Sequence, residues 1–309
     1  MYLPFLRGKQ FEFLALREVA FELGENCANV IPIVEPVKKD LKAAINAFSV
    51  LKQYKMKFAV ILNPNHGDFE TPFEGFVESV VEQLGDNDNW VPAFFLGKNS
   101  PQGISDIVSK YDFPEIMLVE TGALDVDGFD AVLSLPQARY IVYSDADSRV
   151  LDRKLRRYAN LNKVRLDDNF RAEKTNKGYR GQEDQKFTDV HRYYKEEGFF
   201  GLSDYTTLSS TFNDGGALPR VLAIHLTYEK NEEEVWIHHS LSHSYDNGAE
   251  NVQLKFKEAA EDVRDFFADR PKTAGIQEIL NYLDAGKYPG LGVLKKLSMK
   301  NHIVLMSRF

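Results

Sequence analysis

Short apolar strands alternate with amphipathic helices along nearly the whole chain, which predicts an α/β fold of the (β/α)8, TIM-type barrel class. Three observations carry this reading. Apolar runs bounded by polar turns start near residues 30, 57, 91, 115, 139, 163, 199 and 221. Most of the intervals hold one helical stripe, and a strand that returns parallel to its predecessor needs a crossover of about a dozen residues or more. Eight such strands are the number that closes a barrel of this class. The competing arrangement is an open doubly wound sheet, which normally carries a glycine-rich turn after its first strand. Here the run VIPIV leads into Glu35 and Pro36 instead.

Taken in order, residues 10–23 place Phe11, Leu14, Ala15, Val19 and Leu23 at helical spacing, with Gly24 as the stop. The strand at 30–34 follows, and then a helix over 38–54 with Leu41, Ala44, Ile45, Phe48, Leu51 and Tyr54 as its stripe. A strand at 57–62 runs into Asn63, Pro64, Asn65, His66 and Gly67. Helices at 72–84, 100–111, 126–133 and 148–158 then alternate with strands at 91–96, 115–119, 139–143 and 163–166. Pro101 sits in a first helical turn, where its missing N–H costs nothing. A polar insertion over 169–186, with no apolar periodicity, reads as a lid or insertion loop, and a short helix over 188–196 leads to the seventh strand at 199–203. The eighth strand is read at 221–228, with an added hairpin strand at 234–241 and helices near 250–269 and 274–285. A hairpin turn centred on Asn231 and Glu232 sets His225 opposite His238. A loop one residue longer or shorter brings Ile237 or His239 there instead. Residues 1–309 read as a single domain without a linker.

Composition narrows the classes. Apolar residues make up 43% and charged residues 27% of the chain, as in ordinary globular proteins. The apolar runs fall far short of a bilayer span, so no membrane association is expected. MYLPFLRGKQ lacks a basic segment followed by an apolar core, and Cys27 is the one cysteine. Both features fit a cytoplasmic protein, and the lone cysteine excludes an internal disulfide and a multi-cysteine zinc site. The net charge of −8 argues against general coating of nucleic acid. The charge is uneven, however, since residues 148–180 hold eleven Lys and Arg against four Asp and Glu.

Three stretches carry a family likeness: YLPFLRGKQFEFLAL at 2–16, IPIVEPV at 31–37, and GLSDYTT with AIHLTY at 201–207 and 223–228. They resemble the bacterial and phage "beta protein" family, over nearly the whole chain. The resemblance implies a barrel-like fold and a link to mobile elements or phage defence. It brings no reaction with it.

In barrels of this class the chemistry sits at the carboxyl ends of the strands. Those ends read as Glu35, Asn63 with His66, Gly97, Glu120, Asp145 with Asp147, Asp167 with Asp168, Asp204, and His225 with Thr227. Alternation places Arg165 and Asp167 on one face of their strand, and Ala223, His225 and Thr227 on a face opposite Leu222, Ile224 and Leu226. The aliphatic face belongs under helices, which turns Asp167 and His225 inward. The expected site therefore has Asp145, Asp167 and Asp204 as oxygen ligands for Mg²⁺ or Mn²⁺. His225, Glu35 and Glu120 are its acid–base groups. Arg165, Arg171, Arg180, Asn63 and His66 contact an anionic or phosphorylated ligand. Two blander readings compete: Asp147 and Ser148 suit helix capping, and Arg165 could simply neutralise a polar plug. A two-histidine phosphoesterase pattern in His225-Leu226-Thr227 and His238-His239-Ser240 is set aside, because its copies lie thirteen residues apart across one hairpin. The expected function is a divalent-metal-assisted phosphoester hydrolase or nucleotide-processing barrel. Its rival is a non-catalytic barrel that binds a protein partner, or nucleic acid through 148–180, in a defence-type complex.

Overall fold

The computed structural model describes residues 1–70, 75–85, 89–97, 101–144, 146–215, 218–243 and 250–309. The chain packs as two compact units where the sequence reads as one domain. Unit 1 comprises residues 1–10, 24–167 and 190–204, and unit 2 comprises residues 11–23, 168–189 and 205–309. In chain order the strands are β1 (Phe5–Leu6), β2 (Ile33–Val34), β3 (Phe58–Ile61), β4 (Trp90–Phe95), β5 (Ile116–Glu120), β6 (Ala138–Tyr143), β7 (Asn162–Asp167), β8 (Asp184–Thr188), β9 (Gly201–Asp204), β10 (Ala223–Asn231) and β11 (Glu234–Leu241). The helices are α1 (Gln10–Leu23), α2 (Lys42–Gln53), α3 (Phe76–Leu84), α4 (Pro101–Tyr111), α5 (Asp130–Leu133), α6 (Arg149–Leu155), α7 (Val190–Tyr193), α8 (Val252–Phe266), α9 (Ala274–Asp284) and α10 (Leu291–Met306).

Unit 1 is the barrel. Its eight strands run parallel in the order β1, β2, β3, β4, β5, β6, β7, β9. The segments FAVI, WVPAFF and IMLV are buried residue by residue, as a parallel strand covered on both faces requires. Tyr2 bridges to both Val30 and Leu202 in parallel register. Leu3 N donates to Leu202 O at 2.8 Å and Leu202 N to Met1 O at 3.1 Å, which brings the sheet to near closure. The backbones approach closely at this seam. A Cβ on Gly201 would lie 2.7 Å from Leu3 Cδ1 and 2.9 Å from Met1 O. Gly201→Ala is therefore expected to cost about 1–3 kcal/mol, read as a lowered urea midpoint. An unchanged midpoint would mean that the seam yields freely.

The fold class is the expected one, but two strands differ. The barrel begins at residues 2–6, ahead of the strand expected first, and β10 is not its eighth strand. Pro4 and the shortness of that opening run hide it from pattern reading. β10 and β11 are joined by a tight turn, and a short turn permits only antiparallel pairing.

Unit 2 carries a three-stranded antiparallel sheet in the order β10, β11, β8. Leu222, Ile224, Leu226 and Tyr228 on one face pack against Phe256, Val263, Ile279 and Leu297 from α8, α9 and α10. The alternation anticipated this aliphatic face under helices. The segment 169–186, expected as a lid, is built into this unit. Tyr179 is buried, Asn176 Nδ2 donates to Val221 O at 2.8 Å, and the segment ends in the edge strand β8. α1 joins the same unit through Glu18, which pairs with Lys296 and Lys300. Among the described residues no helix is long and apolar enough to cross a membrane.

Candidate active site at the barrel mouth

β1, β2 and β3 are neighbours, so the residues just beyond their carboxyl ends meet. Arg7 follows β1, Glu35 follows β2, and Asn65 and His66 lie in the turn after β3. Glu35 has no exposed surface, and its carboxylate forms an ion pair with Arg7 Nη1. Its other oxygen accepts from Asn65 N at 2.7 Å and lies 2.9 Å from His66 Nδ1. A carboxylate oxygen only accepts, so the imidazole carries its proton on Nδ1 and Nε2 is the basic nitrogen. The His66 side chain remains 34% exposed, so the ring is fixed at Nδ1 and still reached by solvent. The turn that places it depends on Gly67, whose φ is +64° and whose absent Cβ would lie 2.2 Å from Val37 O.

A second group forms at β7 and β9. Asp167 and Asp204 are register partners on adjacent parallel strands. Tyr2 donates its hydroxyl to Asp204 Oδ1 at 2.7 Å, and both are buried. Burial, reinforced by the Asp204 charge, holds the Tyr2 hydroxyl well above its usual pKa, so it stays a donor. Burial also raises the Asp167 carboxyl. Arg165 opposes that shift, and the charges of Asp204 and Asp147 add to it. Arg165 is heavily engaged: Nε lies 3.1 and 3.0 Å from the two Asp167 oxygens, and Nη1 lies 2.9 Å from Asp147 and 3.5 Å from Glu197. Three carboxylates thus occupy the guanidinium expected to contact substrate.

Around the rest of the rim, Glu120 accepts from Gly122 N at 2.8 Å. It lines a cavity of about 470 Å³ with Asn65, Gly97 and Thr121. Asn63 spends its amide on β4: Nδ2 donates to Phe95 O at 2.9 Å, and Phe95 N donates to Oδ1 at 2.7 Å. It ties two strand ends together. Asp145 lies outside the described residues. Among those described, no group of three or more His, Cys, Asp or Glu side chains is placed to hold a metal ion.

The remaining expected residues belong to unit 2. His225 stands opposite His239, the one-residue alternative to His238, because the hairpin bulges between Glu229 and Asn231. The two Nδ1 atoms are 2.7 Å apart, so one ring donates to the other and their tautomers are opposite. Phe170 and Tyr179 pack edge-on against His225, at 5.2 and 5.1 Å between centroids. Burial first, then the neighbouring His239 and Lys295, pushes His225 well below the usual imidazole pKa. Since β10 lies outside the barrel sheet, the strand position that turned His225 into the mouth no longer applies. Arg180 donates to His243 O at 3.2 Å, and the Arg171 carbonyl accepts from Tyr179 Oη at 3.3 Å. Sequence reasoning missed Arg7 and Tyr2. Both follow once the opening segment is recognised as a barrel strand.

No protein-family model and no curated protein matches this chain.

Proposed function

We propose that unit 1 is a phosphoester hydrolase with its acid–base chemistry at the carboxyl end of the barrel. The observation that supports this most is the Glu35–His66 pair, a fully buried carboxylate holding a partly solvent-exposed imidazole by Nδ1. Such a pair fixes tautomer and orientation and favours the imidazolium formed on proton uptake. In this reading His66 Nε2 takes a proton from water as the water oxygen bonds to phosphorus. The ester P–O bond breaks, and the departing oxygen leaves as the alcohol after protonation from solvent. Arg7 anchors Glu35 beside the ring. Asp167 and Asp204, with Asp145, are the carboxylates proposed to hold a divalent cation, Mg²⁺ or Mn²⁺, in exchange for the present partners of the first two, Arg165 and Tyr2. When bound, that ion would neutralise charge on the phosphoryl oxygens.

The rival reading is a non-catalytic barrel binding a protein partner. It draws support from the full engagement of Arg165 and Asn63, which resembles a polar plug. The link to mobile elements or phage defence fits either reading. Calorimetric titration with Mg²⁺ and Mn²⁺, alongside hydrolysis of bis(p-nitrophenyl) phosphate, separates them. The hydrolase should turn the diester over, and Asp204→Asn should weaken cation binding. Absence of both cation heat and turnover would sink the hydrolase and leave the binding barrel.

A further inference from the structure

The stretch flagged for its positive charge divides between the units, and its unit 1 part builds a cleft. This cleft, of about 720 Å³, is lined by Asp147, Ser148, Arg149, Arg153, Arg156 and Phe199 among others. Most cations here are already neutralised. Lys154 and Arg157 pair with Asp127, and Arg156 and Lys163 pair with Asp152. Arg149 and Arg153 differ. Both are exposed, and among the described residues neither makes an ion pair. They stand one helical turn apart on α6, so their guanidinium groups present a short row on one face. The cleft also adjoins the mouth chemically. Asp147 lines it and binds Arg165, and Arg165 binds Asp167 at the carboxyl end of β7.

We propose that this cleft holds the sugar–phosphate backbone of a single-stranded nucleic acid, with Arg149 and Arg153 on successive phosphates. The inference rests on the hydrolase reading and narrows its substrate to a polynucleotide phosphodiester. Paired donors on a planar fork suit phosphate oxygens, and two unpaired arginines in a row suit a chain of evenly spaced anions better than a single small one. A cleft of this size takes one backbone rather than a duplex. Asp147, Asp152 and Glu197 line the cleft too, and they confine the attraction to the Arg149–Arg153 row, in keeping with a chain whose net charge is −8.

The test uses the full chain and a fluorescent twelve-residue oligothymidylate, followed by anisotropy across a salt series. Two phosphate contacts predict a slope of log K against log salt of about −1.4 for a single strand. Arg149→Glu with Arg153→Glu should weaken binding at least tenfold and flatten the slope. Because both side chains are exposed, the thermal midpoint of that variant should stay in place and serve as its folding control. Unchanged binding in the folded variant overturns the inference. So does displacement of the oligonucleotide by poly-glutamate of equal length at equal concentration, which would mark an acidic-protein surface. Turnover of bis(p-nitrophenyl) phosphate by the unaltered protein is measured in parallel. Turnover without strand binding places the fault in the cleft. Strand binding without turnover places it in the hydrolase reading.

Discussion

Replacing Glu35 by alanine is expected to destabilise the barrel by about 3–5 kcal/mol, the cost of removing one partner from a buried ion pair. The carboxylate has no exposed surface and serves Arg7, Asn65 N and His66 together. Its loss strands a guanidinium and a backbone donor at once. The measurement is the urea midpoint at neutral pH. Glu35→Gln should lose less, because the amide oxygen still accepts from Asn65 N. His66→Ala should behave in the opposite way. The ring is a third exposed, so the midpoint should move by only about 0.5 kcal/mol. If the proposed hydrolysis occurs, kcat should fall by about 10²–10⁴ in the same variant. A His66→Ala protein as unstable as Glu35→Ala would make the imidazole a structural member of the cluster and remove it from the chemistry.

The second large effect is expected in unit 2 on acidification. His239 is almost wholly buried, and burial, with the nearby His238 adding to it, pushes its pKa down to about 4 from an ordinary 6.5, while Asp184 pulls weakly the other way. Its Nε2 is buried without a partner among the described residues, so a second proton would have no acceptor there. The unfolded chain therefore binds a proton between these two pH values that the folded chain refuses. Stability from the neutral pair is fully present above about pH 6.5 and is lost as the pH falls towards 4. The loss is on the order of 3 kcal/mol. Urea midpoints across that range should fall steeply for the native protein and more gently for His239→Leu. Equal slopes would refute the neutral pair. His238, one position earlier, faces different partners. Its two nitrogens lie 3.0 Å from Asp184 and 2.9 Å from Asp262. The two histidines point to opposite faces of one strand, His238 towards carboxylates and His239 towards His225 and Tyr179.

The alternation of apolar runs and helical stripes made the barrel class legible, because buried parallel strands leave near-continuous apolar segments in the sequence. The carboxyl ends were legible for the same reason. At Glu35, Glu120, Asp167 and Asp204 the apolar run stops and a polar group appears. The strand count was recovered with the wrong members. Tyr2 to Leu6 is too short and too proline-marked to stand out, while the run around His225 has ideal β composition yet, among the described residues, pairs only with its hairpin neighbour β11. What could not be read was contact across strands. Glu35 meets His66 over 31 positions and Arg7 over 28, through the lateral order of β1, β2 and β3. Had the opening segment been counted as a strand, Arg7 would have appeared at its carboxyl end.

The seam between the opening segment and β9 also bears on how the protein is made. Tyr2 finds Asp204 over 202 positions, and Leu3 O accepts from Ser203 Oγ over 200. The opening segment must wait for β9, nearly two hundred residues later in synthesis, before its outer edge is covered. Loop closure over such a span costs entropy before any contact rewards it, so the final pairing falls late in folding. During that interval the apolar edge of β1 is an open hydrogen-bonding template. Interactions formed after the rate-limiting barrier act on the unfolding rate. The Tyr2–Asp204 bond should therefore govern how long a finished barrel lasts more than how quickly it forms.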